Sequence, residues 1–157
     1  MNDWIDAPAR FDAWMAERLL PLATAFLLGL RLYVAKVFLV SGLTKIADFE
    51  STVALFENEY RVPLLSPVLA AYSGTTAELV LPALLALGLL SRSTAFAFFI
   101  FNAVAVVSYP DISEAGIKDH ILWGTMIATV FFFGAGKWSV DHWWKTRPSL
   151  VKAWGRV

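Results

Sequence analysis

A chain of 157 residues that is 58% hydrophobic, 15% aromatic and formally uncharged overall has too little polar surface for an ordinary soluble domain and reads as one membrane domain. Zero net charge leaves no basic footprint, so no nucleic-acid partner is expected. The chain has no cysteine, which excludes thiol–disulfide exchange, persulfide relay and cysteine-held iron–sulfur or copper centres by this chain alone.

Residues 1–20, MNDWIDAPARFDAWMAERLL, lack a basic region running directly into an apolar core, so they are not expected to be a cleaved signal. Trp4, Phe11, Trp14, Met15 and Leu19 gather on one helical face, with Asp6, Arg10, Asp12 and Glu17 elsewhere on the turn. This predicts an interfacial helix held by apolar insertion, since its charges nearly balance. The first membrane helix is then Pro21 to Lys45, PLATAFLLGLRLYVAKVFLVSGLTK, long enough at ~1.5 Å per residue for a ~30 Å hydrocarbon core. It carries Arg31 and Lys36, and each cation near mid-helix costs at least ~2.5–3.5 kcal/mol unless it faces the bundle, snorkels or finds a carboxylate.

Phe49, Val53, Phe56 and Tyr60 follow i, i+4, i+7, i+11, a short amphipathic helix that Val62-Pro63 should stop. It is read as a surface helix, with a lid across the bundle as the alternative. Three further apolar segments run from about Val68 to Leu90, Thr94 to Tyr109 and Asp119 to Ala135, and Pro82 should kink the first of them. The predicted fold is all-α: one domain over residues 1–157, with an antiparallel bundle of four transmembrane helices over residues 21–135, the interfacial segment before it and a tail over residues 136–157.

Cations orient the bundle through the positive-inside rule. Arg10, Arg18, Arg92, Lys137, Lys145, Arg147, Lys152 and Arg156 lie on the side of the termini, against Lys45, Arg61 and Lys118 opposite. Both termini are therefore expected in the cytoplasm, and the protein in a bacterial inner membrane. The outer side is acidic, with Asp48, Glu50, Glu57, Glu59, Asp111, Glu114 and Asp119, and Trp138, Trp143, Trp144 and Trp154 form an interfacial belt.

Counting along the helices from their cytoplasmic ends puts Arg31 ~15 Å, Glu78 ~18 Å and Asn102 ~14 Å deep. Arg31 and Glu78 are thus expected to face each other, with Asn102 and either Tyr72 or Thr75 nearby, as a structural ion pair or as a site for a small anion or a quinone-like head group. Lys45 should snorkel, while Lys36 needs a partner or water. His120 begins the fourth helix near Tyr109 and Asp119, where it suits proton transfer, metal ligation or binding of another ligand; His142 lies on the opposite side, so no protein-only metal site is predicted.

The segment RLYVAKVFLVSGLTKIADF, the mid-helix Glu78 followed by Gly-Leu-Leu-Ser-Arg at 88 to 92, and GAGKWSVD at 134 to 141 resemble the DoxX family of four-helix membrane proteins. The resemblance carries over Arg31, Ser41, Gly42, Lys45, Glu78, Arg92 and Asp141 as recurring positions, without a settled catalytic motif. FENEYRVPLLSP, FNAVAVVSYP and KDHILWG are similar to the subgroup encoded beside copper-responsive, ribosomally made metal-binding peptides, while other members are implied to be thiosulfate:quinone oxidoreductase subunits or membrane partners of redox-stress enzymes. The resemblance therefore implies an accessory or redox subunit in metal, oxidative or sulfur stress, with a quinone as a possible but not covalently held cofactor and a protein partner from a redox or metal-handling system. The alternative is a non-enzymatic scaffold or transport component for a metal-binding peptide system; homo-oligomers are compatible with either, and a four-helix transporter would require them.

Overall fold

The computed structural model describes residues 3–147, with side chains from residue 7 onward. Every regular element among them is helical: α1 (Asp3–Ala47), α2 (Phe49–Asn58), α3 (Pro67–Leu87), α4 (Ser91–Ser108), α5 (Glu114–Phe133) and α6 (Val140–Lys145). Helices α1, α3 and α4 are long and apolar enough to cross a membrane. Helix α5 has 20 residues, but Glu114, Lys118 and Asp119 in its first two turns hold its apolarity below theirs.

The separate interfacial helix is corrected by the structure. Helix α1 runs unbroken for 45 residues, ~68 Å. Pro8 and Pro21 lie inside it; each removes one backbone donor, and the Ala, Met, Glu, Arg and Leu residues between them favour helix strongly enough to carry it through. Residues 7–20 are exposed throughout, so this stretch projects past the bundle.

Helix α1 packs on α3 and α5, and α4 packs on both α3 and α5, which closes a ring of four helices. The turns at 88–90 and 109–113 make α3, α4 and α5 successive antiparallel neighbours. The ring's centre is Val34, Phe38, Leu85, Ala95, Phe98, Ile127 and Val130, with Phe38 and Phe98 edge to face at 4.7 Å between ring centroids. Lipid tails are as apolar as these side chains, so close contact rather than water exclusion holds the helices together. Small residues permit that approach: a Cβ on Gly42 would sit 3.0 Å from the Leu79 side chain and 3.1 Å from that of Glu78. Helix α3 continues through the buried Pro82.

Helix α2 seals one end of the ring, called here the α2 end. Asp48 caps it by accepting from the Ser51 amide at 3.0 Å, and it terminates at Asn58, before the expected Val62-Pro63 stop. Phe56 is buried with Ala70 and Ala71 of α3, stacks on Tyr60 at 4.7 Å, and Tyr60 stacks on Tyr109 at 5.0 Å. The Arg61 amide donates to the Ser108 carbonyl at 2.7 Å, so this roof spans from α1 to the end of α4. Of its two anticipated forms, α2 takes that of a lid.

The opposite, α6 end depends on one turn. Gly88 ends α3 with φ +67, a left-handed conformation that glycine adopts without steric cost. A Cβ there would lie 2.5 Å from Ser139 Cβ. Replacing Gly88 by Ala is expected to lower stability by at least ~1–3 kcal/mol from the backbone alone. Gly29, with nothing within 4 Å of its would-be Cβ, serves as the control, and its alanine variant should be neutral or stabilising. Thermal unfolding of both variants in detergent checks this; equal melting temperatures would contradict it.

Candidate functional site

The expected Arg31–Glu78 pair does not form. Arg31 is 1% exposed and points toward the α6 end. Its Nη2 donates to the carbonyls of Ala86 and Trp138, both at 2.9 Å, and its Nη1 to that of Ala135. Ala86 lies in the last turn of α3 and Ala135 just beyond the end of α5. Helix C-termini have unpaired carbonyls and the negative end of the backbone dipole. The guanidinium therefore binds two helix ends at once, with no carboxylate in ion-pair contact among the described residues; Asp141 acts on it only through its longer-range charge.

Asp141 completes this end. It accepts from the Leu90 amide at 2.8 Å, the Ser91 amide at 2.7 Å and the Ser91 hydroxyl at 2.6 Å. Leu90, in left-handed conformation, supplies no side-chain cap to α4, so Asp141 caps that helix from a distant segment. Burial acts to raise its pKa, but these bonds and the charge of Lys145 prevail and hold the carboxyl below its ordinary 3.8. Arg92, beside this cap, is exposed.

Glu78 pairs instead with Lys45 at the α2 end. Lys45 Nζ donates to Glu78 Oε2 at 2.7 Å, to Oε1 at 2.9 Å and to Ser41 Oγ at 2.9 Å. The Lys45 and Glu78 side chains are only 14% and 12% exposed, so Lys45 does not snorkel. The depth count failed because it took Pro21 as the membrane edge, whereas α1 has no boundary there. The contacts of Gly88 with Arg31 and of Gly42 with Glu78 set the true antiparallel register, which separates Arg31 from the level of Glu78 by eleven residues of α1, ~16 Å.

The ion pair borders a cavity of about 430 Å³ beneath α2, within the usual ~300–1,000 Å³ of small-molecule sites. Its walls are mainly apolar and aromatic, including Val37, Phe38, Phe56, Phe101 and Ala105; Ser41, Lys45, Tyr60, Ser73, Glu78, Ser108, Tyr109, His120 and Trp123 supply the polar groups. Asn102 is buried and sits with His120 rather than with Arg31. Its Nδ2 donates to the His120 carbonyl at 3.0 Å, and its Oδ1 lies 2.8 Å from His120 Nδ1. A carbonyl only accepts, so the Asn102 amide is oriented, and its Oδ1 assigns the proton of neutral His120 to Nδ1. The acceptor Nε2 has no partner among the described residues. Trp123 Nε1 and Ser108 Oγ are buried and equally unpartnered.

The remaining candidates lie elsewhere. Lys36 is exposed on the outside of the bundle, just over a turn above Arg31, with no ion-pair partner among the described residues. Tyr72 is exposed and packs on Phe49 at 4.5 Å, and Thr75 is buried with an unpartnered hydroxyl; neither adjoins Arg31. No three His, Asp or Glu side chains converge into a metal-holding group among the described residues. Trp138, Trp143 and Trp144 are exposed at the α6 end; Trp154, Lys152 and Arg156 fall outside the described residues. Sequence reasoning missed Trp123 and Ser108, although Trp123 follows His120 by three residues and so shares its helix face.

The depressed Asp141 pKa carries a sign. A carboxyl whose folded pKa lies below its unfolded one stabilises above the unfolded value, and that contribution is lost as pH falls below about 3.8. Asp141→Asn should therefore destabilise at pH 7 by about 1 kcal/mol, the ordinary worth of a solvent-screened cap, and its melting curve should converge on the parent's below that pH. A constant gap from pH 7 to pH 3 would refute this.

No curated protein and no solved structure matches the chain. The DoxX family profile matches residues 26–110, more than half of the chain. The match includes Arg31, Ser41, Gly42, Lys45, Glu78 and Arg92 and ends before His120 and Asp141. With its apolar helices and this match, the chain is a membrane protein of the DoxX family.

Proposed function

We propose that this protein is an accessory or redox subunit in a bacterial inner membrane, acting in metal, oxidative or sulfur stress, and that its ligand is a quinone-class ring held in the cavity beneath α2. The observation that carries this reading is an apolar, aromatic-walled cavity whose polar edge is an ion pair already neutral in itself. Lys45 spends its donors on Glu78 and Ser41, so no free positive charge remains for an inorganic anion. A neutral ring with polar oxygens matches both the walls and the edge. The described residues offer no metal-ligand group, so an electron carrier would belong to a partner.

The test is titration of the purified full-length chain in nanodiscs with a short-chain benzoquinone. Ala105 lines the cavity, and Ala105→Phe should lower affinity at least about tenfold, consistent with several kcal/mol of lost apolar contact and space, while the bundle still melts cooperatively. The joint variant Lys45→Met, Glu78→Leu should keep assembly, since removing both members of a buried pair leaves no orphan charge, yet lose affinity. Undiminished binding in both variants would sink the reading.

One observation supports the scaffold alternative. Asp48, Glu50, Glu57, Glu59, Asp111, Glu114 and Asp119 are all exposed around the α2 end, against exposed Arg61 and Lys118, because Lys45 is withdrawn into its ion pair. Such a surface attracts a cationic, metal-handling partner, and the attraction weakens with salt. The same count favours a cytoplasmic α6 end, where Arg10, Arg18, Arg92, Lys137, Lys145 and Arg147 are exposed. In intact spheroplasts, Lys118→Cys should then react with an impermeant thiol reagent and Lys137→Cys should not. The reverse pattern would invert the proposed topology.

A further inference from the structure

Residues lining the cavity carry unpartnered polar atoms of two kinds. Trp123 Nε1 is a donor only; Ser108 Oγ both donates and accepts; both are buried without a partner. His120 Nε2 is an acceptor, because the Asn102 amide fixes the proton on Nδ1. An acceptor left unmade once a ligand excludes water costs more than an average hydrogen bond gains, so the bound ligand should answer the open Nε2 of the half-buried His120. Glu78 adds no open demand, as both its oxygens already accept from Lys45.

A quinone carries only acceptor oxygens. It can satisfy Trp123 and Ser108, but it leaves the lone pair of His120 facing another lone pair. A ring hydroxyl both donates and accepts. We infer, resting on the ring-binding reading above, that this cavity is a site for the reduced, hydroxyl-bearing ring, a quinol or phenol, with His120 Nε2 accepting the ring O–H and Trp123 Nε1 donating to a ring oxygen. His120 can receive that proton at Nε2 without giving up its bond to Asn102, because Nδ1 donates in both the neutral and the protonated ring. The Asn102–His120 pair is thus a prepositioned proton acceptor, and Phe38, edge-on to both His120 and Trp123 at 6.3 and 5.4 Å between ring centroids, packs beside the two rings that would engage the ligand.

The experiment is anaerobic calorimetry of the full-length chain in nanodiscs with a short-chain benzoquinone and, separately, its dithionite-reduced quinol. The quinol should bind about 3–10-fold tighter, the worth of one hydrogen bond plus the avoided clash of acceptors. His120→Gln, which keeps a side-chain acceptor, should retain part of this preference. The joint variant Asn102→Leu, His120→Leu removes the buried pair together and should bring the two affinities within about twofold of each other. Trp123→Phe should weaken both forms without changing their ratio. Equal affinities in the parent protein, or a preference that survives the joint variant, overturns this inference and leaves the ring-binding reading standing. Failure of both forms to bind the parent protein overturns that reading itself.

Discussion

The fold depends on where Arg31 is neutralised. A guanidinium cannot shed its proton in a protein, and inside an apolar bundle it must be met by acceptors. Here it is met by the carbonyls of Ala86 in the last turn of α3, Ala135 just past α5, and Trp138 in the connection to α6. One side chain on α1 thereby ties together the α6 ends of two other helices. The Gly88 turn is the complementary half of this arrangement: only a residue without Cβ allows Arg31 on one side and Ser139 on the other to come this close.

This tie sets the register of α1 against α3, and the register has consequences at the far end. With Gly88 beside Arg31, the antiparallel helices bring Gly42 against Glu78. Lys45, one turn further on, then reaches Glu78 and Ser41. Sliding α1 by one turn would separate Lys45 from Glu78 by ~5.4 Å, stranding a buried carboxylate. The two polar clusters are therefore two ends of one measured length, and the apolar centre around Phe38, Phe98 and Ile127 fills the space between them.

Much of this was legible in the sequence, and what was not has physical causes. Apolar stretches of sufficient length announced α1, α3 and α4, and the aromatic spacing from Phe49 to Tyr60 announced α2. The pairing of charges was not legible, because a sequence shows side-chain charges but hides backbone carbonyls. By side-chain charge alone Arg31 matches Glu78, whereas the acceptors it uses are backbone carbonyls of Ala and Trp that carry no mark in the sequence. The boundary at Pro21 misled for a related reason: a proline lost from a helix ladder costs one bond, which a run of strong helix formers can absorb. The partnership of Asn102 with His120 depends on the relative rotation of α4 and α5, which periodicity does not specify.

The positions singled out by the family resemblance divide between two ends of the bundle that differ in one respect. At the α6 end, Arg31 and Asp141 spend their hydrogen bonds on the chain itself; the Arg31 Nε alone is unpartnered, and it is enclosed among packed side chains. A cluster so nearly saturated by its own backbone has little left to offer a ligand, and its charges serve to hold helices α3, α4 and α5 together. At the α2 end, Ser41, Lys45 and Glu78 form the edge of a cavity lined also by His120, Ser108 and Trp123, which keep open hydrogen-bonding capacity. A fold stabilised by its α6 end can afford an α2 end that is incompletely satisfied. That asymmetry, rather than the presence of charges in the membrane, is what locates the candidate site.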